Sequence, residues 1–355
     1  MLRQLLTIAG NTYIEAIRQP VFAVLLLVGV LGMILNVNLA AYTLDSDNKL
    51  MVDLGLSTIF VVGLLVGAFT ATGVVSEEIE NRTALTVVSK PVPRPVFILG
   101  KYLGVAMALG LANVVVCVSF LMSLRHGVQQ TARDDVDFPV VLLGLGAVLA
   151  AIAFAAWTNY HLRWVFTSTF AHAAAIGGVI AYLLVLVISK EFALQSPLVE
   201  FQHEDFNLAQ VGIGLILLFQ AQLLLTAVAV AVSTRLGQVV TILISTGVFF
   251  VGLIGNSLNA ITDQRLDIPA GVGLFPSFWV VMTAEAPVLD RSLFFLAKGL
   301  YLVLPNLQFL WPADAITQGN PFSLAYLGMC SLYTLLYSSA VLAVAVLLFQ
   351  RREVG

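Results

Sequence analysis

Eight long runs of apolar residues constrain this chain more than anything else in it. They lie near 21–43, 54–75, 96–122, 140–160, 165–188, 208–232, 238–258 and 324–349. Each is long enough, as a helix, to cross the roughly 30 Å of hydrocarbon in a bilayer. Composition agrees. The 355 residues are 59% hydrophobic and 10% charged, where a soluble domain carries about 25% charged residues. A mean hydropathy of +0.97 leaves no room for a large soluble domain. The sequence therefore predicts an all-α polytopic membrane protein with about eight transmembrane helices, a single membrane domain covering 1–355. Only Asn159 to Trp164 separates two of the runs. These are either a hairpin of two full spans or a partly re-entrant pair.

Charge gives an orientation. With eight spans and the N-terminus inside, the inner segments are 1–19, 76–101, 160–164, 234–237 and 350–355. They hold ten of the seventeen basic residues in about half the length of the outer segments, which follows the positive-inside rule. Fifteen of the twenty acids fall outside. Both termini are expected on the cytoplasmic side of the membrane. No cleavable signal peptide is visible ahead of the first span. Cys117 and Cys330 each sit within an apolar run, where a thiol behaves as a small hydrophobe, so no disulfide is expected. The net charge of -3 is segregated by face, and no nucleic-acid partner is expected.

Two regions outside the spans carry pattern. Over residues 1–19, Leu2, Leu5, Leu6, Ala9, Tyr13, Ala16 and Ile17 recur at helical spacing, with the polar residues elsewhere on the wheel. This predicts an amphipathic interfacial helix ended by Pro20. The segment 259–323 is the longest outer region, yet it is apolar and aromatic, broken by Pro276, Pro305 and Pro312. It reads as an extracytoplasmic cap or as short helices dipping into the outer leaflet, with Trp279 and Trp311 suited to an interface.

Catalytic chemistry is not legible. There is no Gly-rich loop ending in Lys-Ser or Lys-Thr, so the chain is not expected to hydrolyse ATP, and no His/Cys cluster has metal spacing. The expectation is no enzyme, no metal and no cofactor on this chain. His172, Asn113, Gln220 and Gln222 lie within spans and are candidates to line a cavity. Interhelical hydrogen bonding is the plainer reading of each. The spans hold essentially no charge away from their ends, with Asp53 and Lys101 at boundaries, which argues against an ion-coupled carrier. The energy for any transport should then come from outside the chain.

The connector between the second and third spans is the remaining candidate. Ser76 is a plausible cap for a short helix, with Glu77, Glu78 and Glu80 favourable at its N-terminus. Leu85 and Val88 present an apolar face, and Pro91, Pro93 and Pro95 then force an extended turn. Such a structure, placed over 76–95, is suited to docking a partner.

These residues resemble the permease subunits of the ABC-2 type export family. The resemblance is carried by Glu77-Glu78, then Arg82-Thr83-Ala84-Leu85, then Val88-Ser89-Lys90-Pro91-Val92-Pro93-Arg94, then Leu99-Gly100-Lys101. Leu224 to Leu236 and the terminal Leu348 to Glu353 are also similar to the family pattern. The resemblance implies that the connector is a coupling helix docking on a separate soluble ABC ATPase, with Glu77, Glu78, Glu80, Arg82, Thr83, Leu85, Val88, Pro91 and Arg94 in contact. It implies ATP and magnesium on that ATPase, a second permease copy as homodimer or heterodimer, surrounding lipid, and export. Two departures stand out. The family plan has six spans, so 140–188 reads as an extra hairpin, and Arg82 replaces the usual Gly before Thr, removing its positive-φ freedom. A secondary transporter and a structural or assembly protein of the inner membrane are the competing readings.

Overall fold

The computed structural model describes residues 1–42, 47–80, 93–129, 136–197, 207–266, 268, 274–283 and 287–350, with backbone alone at 76–80 and 274–276. Among these there are twelve α-helices. They are α1 Leu2–Arg18, α2 Pro20–Ala40, α3 Asp47–Glu80, α4 Arg94–His126, α5 Phe138–Leu162, α6 Phe166–Val187, α7 Leu208–Ser233, α8 Gln238–Arg265, α9 Leu274–Thr283, α10 Val288–Val303, α11 Ala313–Thr317 and α12 Leu324–Gln350. Eight of them, α2 to α8 and α12, are long and apolar enough to cross a membrane, and each overlies one of the eight apolar runs. This is a multi-pass all-α membrane protein.

Helix boundaries follow local chemistry. Proline opens α2, α4 and α5 within the first turn, where its missing N–H costs nothing. Asp137 caps α5 by accepting from Val140 N–H at 3.1 Å, and Asn207 caps α7 by accepting from Ala209 N–H at 2.9 Å. The turn between α5 and α6 is only residues 163–165. Arg163 takes the left-handed conformation at φ 58°. Trp164 N–H then donates to Thr158 O, and Asn159 Nδ2 to Trp164 O at 2.6 Å. That geometry folds two helices of spanning length back on each other.

Inside lipid there is no hydrophobic force between helices, so close approach is set by small residues and hydrogen bonds. The most enclosed spans, α3 and α7, show this directly. Gly63 and Gly67 of α3 face Gln222 and Thr226 of α7 so closely that a methyl at Gly63 would lie 2.1 Å from Gln222 Nε2. Phe120 of α4 fills the space left by Gly55, and Val116 that left by Gly29 of α2. The remaining spans are wrapped around α3, α4 and α7 and leave broad apolar faces exposed.

One end of the bundle is tied by a buried charge. Arg125, at the end of α4, donates to Asp137 Oδ2 at 3.1 Å. Its other nitrogens donate to Val185 O at 2.7 Å and Ile188 O at 2.9 Å, where α6 ends. One guanidinium thus joins three elements, and its charge is balanced by a carboxylate that is itself fully buried.

Candidate functional site

The end of the bundle that carries the connector is built differently from the far end. The sequence predicts a fresh helix start at Ser76, and the structure corrects this. Helix α3 runs unbroken from Asp47 to Glu80. No proline or glycine interrupts Val74 to Glu80, so the helix simply continues. Glu77, Glu78 and Glu80 therefore occupy its last turn, at the negative end of the helix dipole rather than the positive one. Arg82, Thr83, Leu85, Val88 and Pro91 lie outside the described residues. Arg94 stands at the first position of α4.

Helix α1 is locked against α4 beside this connector. Gly100 and Gly104, four residues apart, form a groove on α4. A methyl at Gly104 would lie 2.4 Å from Thr12 Cβ and 2.6 Å from Ala9 O, and one at Gly100 2.7 Å from Ile8 Cγ2. Lys101, between the glycines, is buried and reaches Glu15 Oε2 at 3.6 Å. It lies seven residues into α4 rather than at its boundary, and its charge is held by α1. On the other side of α1, Tyr13 and His172 share a hydrogen bond of 2.8 Å. His172 Nδ1 sits 2.7 Å from Ser168 O, so it carries a proton there and Nε2 accepts from the Tyr13 hydroxyl. Burial pushes the Tyr13 phenol upward, keeping it a donor. Thr167 Oγ1 adds a bond to Arg18 O at 2.9 Å.

The last span is fastened to the same end. Arg94 Nη1 donates to Gln350 O at 2.9 Å, and Arg235, just after α7, donates to Leu348 O. Two arginines thus meet the terminal carbonyls of α12, where a cation is favoured. Phe97 stacks on Phe349 beneath them. Helices α1, α4, α7 and α12 form one braced unit at the end of the bundle where α4 begins.

The polar span residues do not converge on a single cavity among the described residues. Asn113 Nδ2 donates to Gln222 Oε1 at 2.7 Å, and Gln222 Nε2 to Ile59 O at 2.9 Å, which bridges α4, α7 and α3. Gln220 Nε2 donates to Ser331 Oγ of α12 at 2.7 Å, while its buried Oε1 has no partner. His172 belongs to the α1 lock. The sequence reading missed the groove of Gly100 and Gly104, although the two glycines at four-residue spacing signal it. It also missed Arg235 as the partner of Arg94 in holding α12.

The described residues form a bundle with eight helices of spanning length, braced at the end where α3 stops and α4 begins. Residues 50–238, more than half of the chain, match the family described as ABC-2 family transporter protein, and the chain belongs to that family. The matched stretch runs from α3 to the start of α8 and so includes both α5 and α6. No curated protein matches this sequence. The chain is an ABC transporter permease by family.

Proposed function

We propose that this permease forms the translocation path of an ATP-driven exporter and docks a separate ATPase on its connector. In this reading the connector and both termini face the cytoplasm, the permease works as a pair of copies in the bacterial inner membrane, and ATP and magnesium are held by the partner. The observation that carries it is the bracing just described. The connector leaves one helix, α3, at Glu80 and enters another, α4, at Arg94, and α4 is locked to α1 and α12. A push on the connector is therefore passed to several helices at once rather than absorbed by a loose loop. The position of Glu77, Glu78 and Glu80 supports the same reading. Acids at the carboxyl end of a helix are disfavoured by about 0.3–1 kcal/mol each, a cost that cationic groups on a docking partner would offset.

ATP binding would close the paired ATPases, and the two arrangements of the braced unit would bind them with different affinity, which supplies the coupling. The test is co-purification in mild detergent with the ATPase encoded nearest to this gene, followed by hydrolysis in lipid. A stable complex is expected, with hydrolysis falling at least fivefold for Glu78→Lys and for Arg82→Glu while the thermal melt is unchanged. Full activity in both variants would remove the connector from the coupling role.

A further inference from the structure

The hairpin of α5 and α6 carries a single formal charge. Between Asp137 and Lys190 the sequence has no acid, and Arg163, in the three-residue turn, is the only lysine or arginine. The turn lies at the end of the bundle where α4 begins. Helix α1 packs on Gly100 and Gly104 near the start of α4, and Thr167, at the second position of α6, donates to Arg18 O at the end of α1. Helix α5 is the least enclosed of the eight spans, and the hairpin packs on α1, α2 and α4. The 25 residues of α5 measure about 37 Å at about 1.5 Å per residue, more than the roughly 30 Å of hydrocarbon, so the turn stands at the level of the headgroups.

Arg163 is exposed, and neither its guanidinium nor that of Arg18 has a partner among the described residues. Arg163 also holds the left-handed conformation, at φ 58°, that favours glycine or asparagine. The turn is fixed around it by Trp164 N–H on Thr158 O and Asn159 Nδ2 on Trp164 O. An arginine in a strained position that makes no hydrogen bond or ion pair within the protein gains nothing from the fold for its charge.

An aromatic ladder leads to it along the outside of α5. Phe154, Trp157 and His161 recur at helical spacing, with ring centroids 6.4 Å and then 5.3 Å apart, and Tyr160 meets His161 edge-on at 4.9 Å. Phe154, Trp157, Tyr160 and Trp164 are all exposed. Tryptophan and tyrosine suit the membrane boundary, with an apolar body toward acyl chains and a polar tip toward water. The surface thus offers a lipid an apolar flank for its chain and, just beyond it, an uncompensated guanidinium for its phosphate, which arginine meets with paired N–H donors. A three-residue turn at this level is too short to project into a groove on a soluble partner.

We propose that the α5–α6 turn binds the headgroup of an anionic phospholipid in the leaflet at the end where α4 begins. Arg163 meets the phosphate, Arg18 adds positive potential, and Phe154, Trp157 and His161 flank the acyl chain. With no carboxylate in the hairpin, an anionic head is favoured over a zwitterionic one. The test uses the full chain in phosphatidylcholine vesicles with a trace of photoactivatable phosphatidylglycerol, and photoactivatable phosphatidylcholine as the control probe. Labelling of the 150–167 segment is expected with the first probe and only weakly with the second. Arg163→Asn and Arg163→Gly remove the cation at a position that both replacements suit, so their melts should match or exceed the parent's. Their labelling by phosphatidylglycerol should fall about fivefold, the worth of one basic residue at an anionic surface, and Arg163→Lys should retain part of it. Equal labelling by both probes, or labelling by phosphatidylglycerol unchanged in Arg163→Asn and Arg163→Gly, overturns the site. Unchanged labelling together with lost co-purification of the ATPase in those variants overturns it in favour of a turn that docks protein.

Discussion

Gln222 shows how one side chain can depend on the absence of another. Its amide fits between Asn113 and Ile59 O only because Gly63 has no Cβ; a methyl there would lie 2.1 Å from Nε2. The amide cannot swing aside without leaving a buried donor and acceptor unmet. Gly63→Ala should therefore cost about 1–3 kcal/mol, whereas Gly146→Ala, where an added methyl meets nothing within 4 Å, should stay within about 0.5 kcal/mol. Thermal unfolding of the two variants in one detergent checks the contrast. Arg125 is a second case. Arg125→Met strands the Asp137 carboxylate and leaves two carbonyls unmet, an expected loss of about 3–5 kcal/mol, visible in the same melt and partly restored when Asp137 is also replaced by Leu. Neither role was legible in the sequence. Gln222 read as a polar residue at a helix contact, but its two partners come from α3 and α4, and nothing in the local pattern names them.

Helix α1 is held as an element rather than by any one contact. Its small residues Ala9 and Thr12 enter the groove of Gly100 and Gly104, and Glu15 and Tyr13 then tie it to α4 and α6. Gly104→Leu should eject it, because the obstacle at 2.6 Å is the Ala9 carbonyl, which is backbone and cannot rotate away. Limited proteolysis is expected to cut within residues 1–19 of Gly104→Leu while the rest of the bundle stays resistant; protection equal to that of the parent would show that the groove does not position α1. The element level was also where the sequence was most readable. All eight spans and the helix over 2–18 follow from periodicity and length, since lipid demands them. The end of α3 was misplaced because Ser76 and the following acids carry a capping signature that an already running helix overrides. The stretch 303–309 that joins α10 to α11 showed only as an apolar run broken by Pro305. It is held along α12 by Tyr337, Tyr333 and Tyr326, seventeen to thirty-four residues later in the chain than their partners Val303, Asn306 and Phe309, a pairing that local pattern cannot supply.

At the scale of the whole molecule, the question is which helices move when the connector is pushed. Bracing by Arg94 and Arg235 makes α12 part of the answer. Both arginines reach the final carbonyls of α12, one from the start of α4 and one from the end of α7. Each exposed contact is worth only about 0.3–1 kcal/mol, so either single alanine variant should leave the fold and most of the coupling intact. Removing both frees the end of α12 from α4 and α7, and the effects should then exceed additivity, as expected of groups that share one task. The measurement is ATP hydrolysis by the reconstituted permease–ATPase complex. Arg94→Ala and Arg235→Ala should each retain at least half of the parent rate, and the double variant should fall below a fifth of it with the complex still assembled. Arg94→Lys, a cation at the same helix end, should rescue part of the loss. If the double variant hydrolyses ATP at the parent rate, α12 does not follow the connector, and transmission is confined to α1, α3 and α4.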